Sequence, residues 1–484
     1  MTYQDLREWI ARVDELGELL RVDGADRDLE IGAVTQLAQI ATDNESAPAV
    51  LFDNVPGFEP GYRVLSSHLA SLNRFALTTR LPLGLPRNQY VNAWLEHYRT
   101  YPTIPTRQVT SGPVMEVQQV GEDVDLGRFP VPKWYEKDGG YYIGTGSATI
   151  TRDPDDGWVN LGTYRVMVLD RNRLTFYMAP GRHGNIHRQK WFEHGKPCPV
   201  AISVGHDPLI FLVSSTELPY GLSEYEVAGG IRGEPVEVIE APLTGLPVPA
   251  HAEIVIEGES LPGETATEGP FGEWTGYYGS GARGEPVIHV KAIYHRRDPI
   301  ILGAPGLRPP KGLALHSQIL RSSHILESMR QAGVPGVTGV WCHQAGGGYL
   351  FTAVAIKQMY PGHARQAGHV AAFCRGGAYM GRFTVVVDDD IDVTDLGHVV
   401  WAMSTRCDPA QDIETAERCW SGPLDPIIHP DHKGFNSRAI VDACRPWEWR
   451  DRFPDVVDLS PELREAMLAK FGDQLRAKAM RARA

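Results

Sequence analysis

Between residues 111 and 310 helical periodicity almost vanishes, and this constrains the fold more than any other feature of the chain. Short β-rich runs take its place, separated by turn residues: Gly146 to Thr151, Val159 to Leu169, Leu174 to Met178, Val200 to Val204, Leu209 to Val213, Ala252 to Ile256 and Val287 to Ile293. Short strands at this spacing predict a β-barrel or sandwich. A chain of 484 residues is too long for a single core, so the β-rich stretch is one of two or three domains.

The flanking segments have a different texture. Residues 1–110 read as a small α/β domain. A Thr2-x-x-Asp5 cap precedes Leu6, Trp9, Ile10, Val13 and Leu16 at helical spacing, and Gly17 ends that helix. Val50 to Phe52 and Arg63 to Leu65 read as short strands, and Tyr101 to Pro105 as a linker. Residues 311–484 alternate again: a helix over 313–332, a strand from Tyr349 to Ile356, a helix from Gly362 to Cys374 and an apolar strand from Phe383 to Val387. That alternation predicts a parallel sheet covered on both faces. A final amphipathic helix from Pro461 carries Leu463, Met467, Leu468, Phe471 and Leu475 on one stripe, which must dock on its own chain or on a neighbour.

Charge narrows the partners. Lys and Arg number 47 against 60 Asp and Glu, a net charge of −13, which argues against nucleic acid or an anionic membrane. No apolar run approaches the length of a membrane span, and the N-terminus carries no signal core. The six cysteines are scattered and form no C-x-x-C pair, so reduced thiols in a cytoplasmic protein are expected.

Five stretches could carry chemistry. Glu268-Gly269-Pro270-Phe271-Gly272-Glu273 cannot be helical, and as a tight loop it turns two acids toward one place. Two adjacent acids do not both ionise freely, so one pKa rises, as a general acid near neutral pH requires; a solvated turn is the competing reading. Asn160-Leu161-Gly162-Thr163-Tyr164-Arg165 opens a strand and ends in an arginine that needs an anionic partner if buried. In Pro180-Gly181-Arg182-His183-Gly184-Asn185-Ile186-His187 the glycines admit a ligand close to the backbone, Arg182 suits a phosphate, and His183 suits a metal or is an ordinary loop residue. Ser223-Glu224-Tyr225 places an acid before a small-residue turn. Asp388-Asp389-Asp390-Ile391-Asp392, at a strand's carboxyl end, could hold magnesium for phosphoryl transfer, with a loop cap as the favoured reading.

In order and spacing, these motifs together with Tyr360-Pro361-Gly362-His363-Ala364 resemble the UbiD family, the prenylated-FMN-dependent reversible decarboxylases of aromatic and α,β-unsaturated acids. The resemblance spans nearly the whole chain. It implies a multidomain α/β fold: an N-terminal α/β part (1–110), a central flavin-reductase-like split β-barrel binding prenylated FMN and metal (111–310), and a C-terminal α/β dimerisation domain with a terminal helix (311–484). It implies that Asn160, His183 and Glu224 hold Mn2+ or another divalent ion, with K+ beside the Ser214 to Glu217 stretch. It places the flavin against Thr163, Tyr164, Arg165, Met178, Ala179, Arg182 and His183. The catalytic network falls on Arg165, Glu268 and Glu273, with Glu273 protonating the carbon from which CO2 leaves. The implied partners are a small carboxylic acid, a separate flavin prenyltransferase that supplies the cofactor, and further copies of the chain in a homodimer or higher homo-oligomer. Two other readings stand beside this one: a metal-dependent hydrolase using His183, His187 and Glu224, and a non-catalytic flavin-binding assembly subunit. One tension accompanies the resemblance. Asn160 and Arg165 are five residues apart and point to opposite faces of a regular strand, unless a bulge near Gly162 intervenes or the two serve different sides of the flavin.

Overall fold

The computed structural model describes residues 2–42, 47–179, 181–216, 218–310, 315–432 and 434–482. Residues 1–444 form one compact unit and residues 445–484 a second.

The first helix, Leu6–Glu15, buries Leu6, Trp9, Ile10 and Val13. Its cap lies one turn later than the expected Thr2-x-x-Asp5 box. Asp5 is itself the N-cap and accepts the Glu8 amide at 2.9 Å, while Glu8 reaches back to the Gln4 amide at 2.8 Å. The helix packs beside a four-stranded sheet in the order Leu19–Asp23, Ala49–Asp53, Arg63–Ser66 and Ile300–Leu302. The last strand comes from the far end of the β-rich segment and pairs in parallel with Arg63–Ser66.

The β-rich segment forms a curled antiparallel half-barrel of nine strands. In chain order these are β1 (Val117–Val120), β2 (Tyr141–Gly144), β3 (Ala148–Arg152), β4 (Val159–Gly162), β5 (Arg165–Val168), β6 (Arg173–Tyr177), β7 (Cys198–Val204), β8 (Ile254–Glu268) and β9 (Arg283–His295). The sheet runs β2-β5-β6-β9-β8-β7-β3-β4, and β1 pairs with β9. Two expectations are corrected here. The run from Val159 to Leu169 is two strands: β4 pairs with β3, and β5 pairs with β2 and β6 near the other end of the sheet. The chain leaves the sheet between them at Thr163, whose amide donates to the Ser214 carbonyl at 3.3 Å. No bulge is needed, because Asn160 and Arg165 are not on one strand. Leu209 to Val213 is helical, within Pro208–Ser214. The local signal was an N-cap: Asp207 accepts the Leu209 amide at 2.8 Å, and Pro208 occupies the first turn.

The C-terminal sheet has the order Val337–Cys342, Phe351–Ile356, Phe383–Asp388, Phe435–Ala443 and Ile413–Trp420. Its three central strands are parallel, but both outer pairs are antiparallel, so the sheet is mixed rather than parallel throughout. The connection from Cys342 to Phe351 is too short for the crossover that parallel pairing requires. The helix expected from 313 is described from Leu315, because Leu313 and Ala314 lie outside the described residues. The acidic run behaves as a loop cap: Arg406 donates to Asp388 at 2.9 Å and to Asp390 at 2.9 and 2.8 Å. All six cysteines are unpaired. Among the described residues no helix is long and apolar enough to cross a membrane. In the second unit, the helix Pro461–Ala482 follows a short turn, Trp447–Arg452.

Candidate active site

The two long strands β8 and β9 form a hairpin, and the acids sit at the end where the two strands are joined. Glu268 is the last residue of β8, and Glu273 lies in the connection to β9. Arg165, the first residue of β5, joins them. Its Nε and Nη2 donate to the two oxygens of Glu268 at 2.7 Å each, and its Nη1 donates to Glu273 Oε1. The Tyr142 hydroxyl from β2 donates to Glu268 Oε1 at 2.9 Å. The guanidinium also stacks 5.0 Å from the Phe271 ring and 5.1 Å from Tyr177. Side-chain exposures of 7% for Arg165, 0% for Glu268 and 11% for Glu273 exclude a solvated turn. Burial pushes the Glu273 carboxyl above its ordinary value; the Glu268 charge adds to this, and Arg165 opposes it. Burial pulls the Arg165 guanidinium down, but its bonds to Glu268 and the charge of Glu273 outweigh that and hold it protonated.

The loop between the acids is held from the side. Asp138 accepts the Gly272 amide at 3.0 Å and the Tyr135 amide at 3.0 Å. The Gly139 amide donates to the Pro270 carbonyl at 2.8 Å. A Cβ at Gly139 would lie 2.0 Å from the Gly269 carbonyl oxygen, so only glycine allows this approach. Burial pushes the Asp138 carboxyl up to about 6, against its two amide bonds. Sequence reading missed Asp138, although Asp138-Gly139-Gly140 ahead of a strand is a turn signal.

The other end of the site suits an anion and a cation. Two helices, His183–Glu193 and Glu224–Arg232, begin there. Arg182 is the N-cap of the first, and Gly181 before it has φ +84 with open space where a Cβ would stand. Tyr164 is wedged between glycines: a Cβ at Gly162 would come within 2.5 Å of its ring, and one at Gly184 within 2.8 Å of its hydroxyl, which the Gly184 amide meets at 3.1 Å. Glu224 is 2% exposed, and its Oε2 accepts the Leu161 amide, next to Asn160, at 2.9 Å. Burial pushes this carboxyl up to about 7, against that amide bond. A buried acid of this kind, beside an asparagine, fits a divalent cation with oxygen and imidazole ligands. Ser214 adds a buried hydroxyl that has no hydrogen-bond partner among the described residues. Glu217 and Pro180 lie outside the described residues. Among the described residues no group of three or more His, Cys, Asp or Glu converges on a metal position, so the expected set depends on the Asn160 amide oxygen as well.

One cavity of about 710 Å³ joins the two ends. Asn160, Thr163, Tyr164, Arg165, Ala179, Arg182, His183, Glu224 and Glu273 all line it. Two expected residues do not. Met178 is buried in the core that also holds Tyr164, and Glu268 is fully buried behind Arg165. His187 is also outside the lining: its Nδ1 meets the Thr151 hydroxyl at 3.0 Å, and burial lowers its pKa to about 4. The His183–His187 pair of the hydrolase reading therefore does not converge on the cavity. Sequence reading also missed much of the remaining lining, which includes Trp274, His316, Tyr349, Arg375, Tyr379 and Trp420. These residues come from five separate segments, and no local pattern links them.

Comparison with known proteins matches the chain in three parts. Residues 10–96, 107–309 and 315–443 match the family models for the N-terminal, Rift-related and C-terminal domains of 3-octaprenyl-4-hydroxybenzoate carboxy-lyase. A pyrrole-2-carboxylic acid decarboxylase of Pseudomonas aeruginosa is 33% identical over 458 residues, 91% of each chain. A phenolic acid decarboxylase of Bacillus subtilis is 32% identical over 456 residues, 92% of this chain and 93% of its own. Among solved structures, a UbiD-class enzyme of Pelotomaculum thermopropionicum in complex with FMN superposes with a TM-score of 0.85 at 29% identity, covering 96% of this chain and all of the other. Vanillic acid decarboxylase of Sedimentibacter hydroxybenzoicus in its open form gives 0.85 at 28% identity, covering 98% of this chain and all of the other.

Proposed function

The chain belongs to the UbiD family of carboxy-lyases, and from that premise we propose that it catalyses the reversible, non-oxidative decarboxylation of an aromatic, heteroaromatic or α,β-unsaturated carboxylic acid with prenylated FMN. The observation that carries this reading is Arg165 bridging Glu268 and Glu273 at the wall of a cavity whose other end suits a phosphate and a cation. Arg165 holds Glu268 through a two-point bond and aligns Glu273 through one of its oxygens. Glu273 Oε2 is then the atom that carries the proton and delivers it to the carbon from which CO2 has left. Thr163, Tyr164, Ala179, Arg182 and His183 hold the cofactor, and Met178 supports them from the core. Asn160, His183 and Glu224 hold a divalent ion, manganese, against the phosphate, with potassium near Ser214. Prenylated FMN, when bound, supplies the electron sink for carbon–carbon cleavage. It comes from a separate flavin prenyltransferase, and the enzyme works as a homodimer or larger assembly.

The test is co-expression with a flavin prenyltransferase, followed by a panel of aromatic, heteroaromatic and acrylic acids. CO2 release from at least one, with exchange of the product's hydrogen for solvent deuterium, is expected. Flavin-loaded protein that turns over none of them would favour the assembly-subunit reading. Glu224→Ala should purify with much less manganese and flavin; unchanged contents of both remove Glu224 from the metal site.

A further inference from the structure

The cavity's charges divide between its two sides. Arg165 is engaged by two glutamates, and Arg182 and His183 belong to the end beside Glu224. Arg375 also lines the cavity, at the start of the short helix Arg375–Ala378. It is exposed, and among the described residues its side chain has no hydrogen-bond or ion-pair partner.

The turn that carries Arg375 is held by cationic side chains. Two buried arginines lie beneath it. Arg321 donates to the carbonyls of Tyr379 at 2.8 Å and Gly377 at 3.4 Å. Arg438 donates to the carbonyls of Ala372 and Ala378, the latter at 2.8 Å. Among the described residues neither meets a carboxylate, whereas nearby Arg382 is paired with Asp425. Arg375 lines the cavity and the two buried arginines hold the turn behind it, so among the described residues three arginines without a carboxylate cluster there in a protein whose net charge is −13. Such a cluster favours an anion.

Aromatic rings lead from the acid loop to this cluster. Trp274, adjacent to Glu273, lies 4.7 Å from Tyr349; Tyr349 is 6.5 Å from Tyr379; and Tyr379 is 4.8 Å from Trp420. All four line the cavity. Tyr379 reaches its place because Gly422 has no side chain: a Cβ there would lie 2.0 Å from the tyrosine hydroxyl.

We propose that the substrate is an aromatic or aryl-acrylic acid bearing a second anionic group, remote from the carboxylate that leaves, and that Arg375 binds this second group. The inference rests on decarboxylation at the Arg165–Glu273 end. The departing carboxylate loses its charge during the reaction, so a cation bonded to it in the ground state would oppose turnover. A cation away from that carboxylate suits a group that stays charged throughout. Such binding is equal in ground and transition states, so it lowers KM and leaves kcat largely alone.

The experiment compares wild type, Arg375→Met and Arg375→Lys on paired ligands: benzoate with benzene-1,4-dicarboxylate, and cinnamate with 4-carboxycinnamate. Wild type should prefer the dianion of each pair. In Arg375→Met that preference should fall by roughly 10–100-fold, the range for a lost hydrogen bond to a charged group, through KM rather than kcat. Arg375→Lys should retain part of it. Calorimetric binding of the same four acids reads the preference without turnover. Absence of decarboxylation with a dianion preference intact would sink the proposed function and spare Arg375. Equal responses of dianions and monoanions to Arg375→Met, no response of either, or no dianion preference in wild type would each overturn the role of Arg375.

Discussion

Glu268 and Glu273 compete for one guanidinium, and the geometry ranks them. Glu268 takes two N–H bonds from Arg165 and a third from Tyr142, whereas Glu273 takes one bond from Arg165. With burial raising the Glu273 pKa as well, this arrangement supports the proposal that Glu273 is the acid that keeps its proton. A donor works only while protonated. With the Glu273 pKa raised by burial, turnover should hold from acid pH upward and decline as pH rises through that raised value. Glu273→Gln should lose turnover by roughly 10²–10⁴-fold and lose deuterium exchange, while flavin and metal stay bound. Glu268→Gln should also be impaired, but for another reason: Glu273 then meets Arg165 without a like charge beside it, and the alkaline limb of the pH profile should move to lower pH. Near wild-type turnover and exchange in Glu273→Gln, with Glu268→Gln inactive, would transfer the donor role to Glu268. The motif made both acids and Arg165 legible in the sequence. Their ranking was not, because it depends on which oxygens face a guanidinium brought from another strand.

Asp138 acts at the scale of the loop. Its carboxylate holds the Gly272 and Tyr135 amides together, and so fixes the backbone that presents Glu273. In Asp138→Asn one acceptor becomes an NH2 group facing an amide. Leaving that amide unmatched costs about 1–3 kcal/mol. Hydrogen exchange at the Gly272 amide should rise, and turnover should fall with little change in bound flavin. Unchanged exchange at Gly272 would show that the loop holds its shape without Asp138. Elements of this kind mark where sequence reading ran out. The strands of the half-barrel were legible as alternating apolar runs, yet Leu209 to Val213 is as apolar as a strand and forms a buried helix, because Asp207 and Pro208 cap it. The strand expected through Asn160 and Arg165 divides at Thr163 for a tertiary reason, the Ser214 carbonyl, which no local pattern encodes.

At the scale of the whole molecule, the change of texture at residue 111 and again after Pro310 made the order of β-rich and alternating segments readable. The return of Ile300–Leu302 to the first sheet was not readable, since three apolar residues name no partner. The terminal helix poses the remaining question. It spans 22 residues from Pro461 to Ala482, and Leu463, Leu468, Phe471 and Leu475 are exposed at 46%, 53%, 37% and 58%. Fully burying side chains of this type contributes about 1.5–3 kcal/mol each. Four of them on one stripe are enough to hold a neighbouring copy, and a homodimer or larger assembly covered by this helix is the arrangement we propose. Full-length protein should then sediment as a dimer or larger species. Removing residues 461–484 should shift it to smaller species, lower its Tm and leave little activity even with flavin supplied. A truncated protein that sediments as the same species as the full chain would show that the stripe has no role in assembly, and a fully active truncated monomer would show that activity does not depend on it.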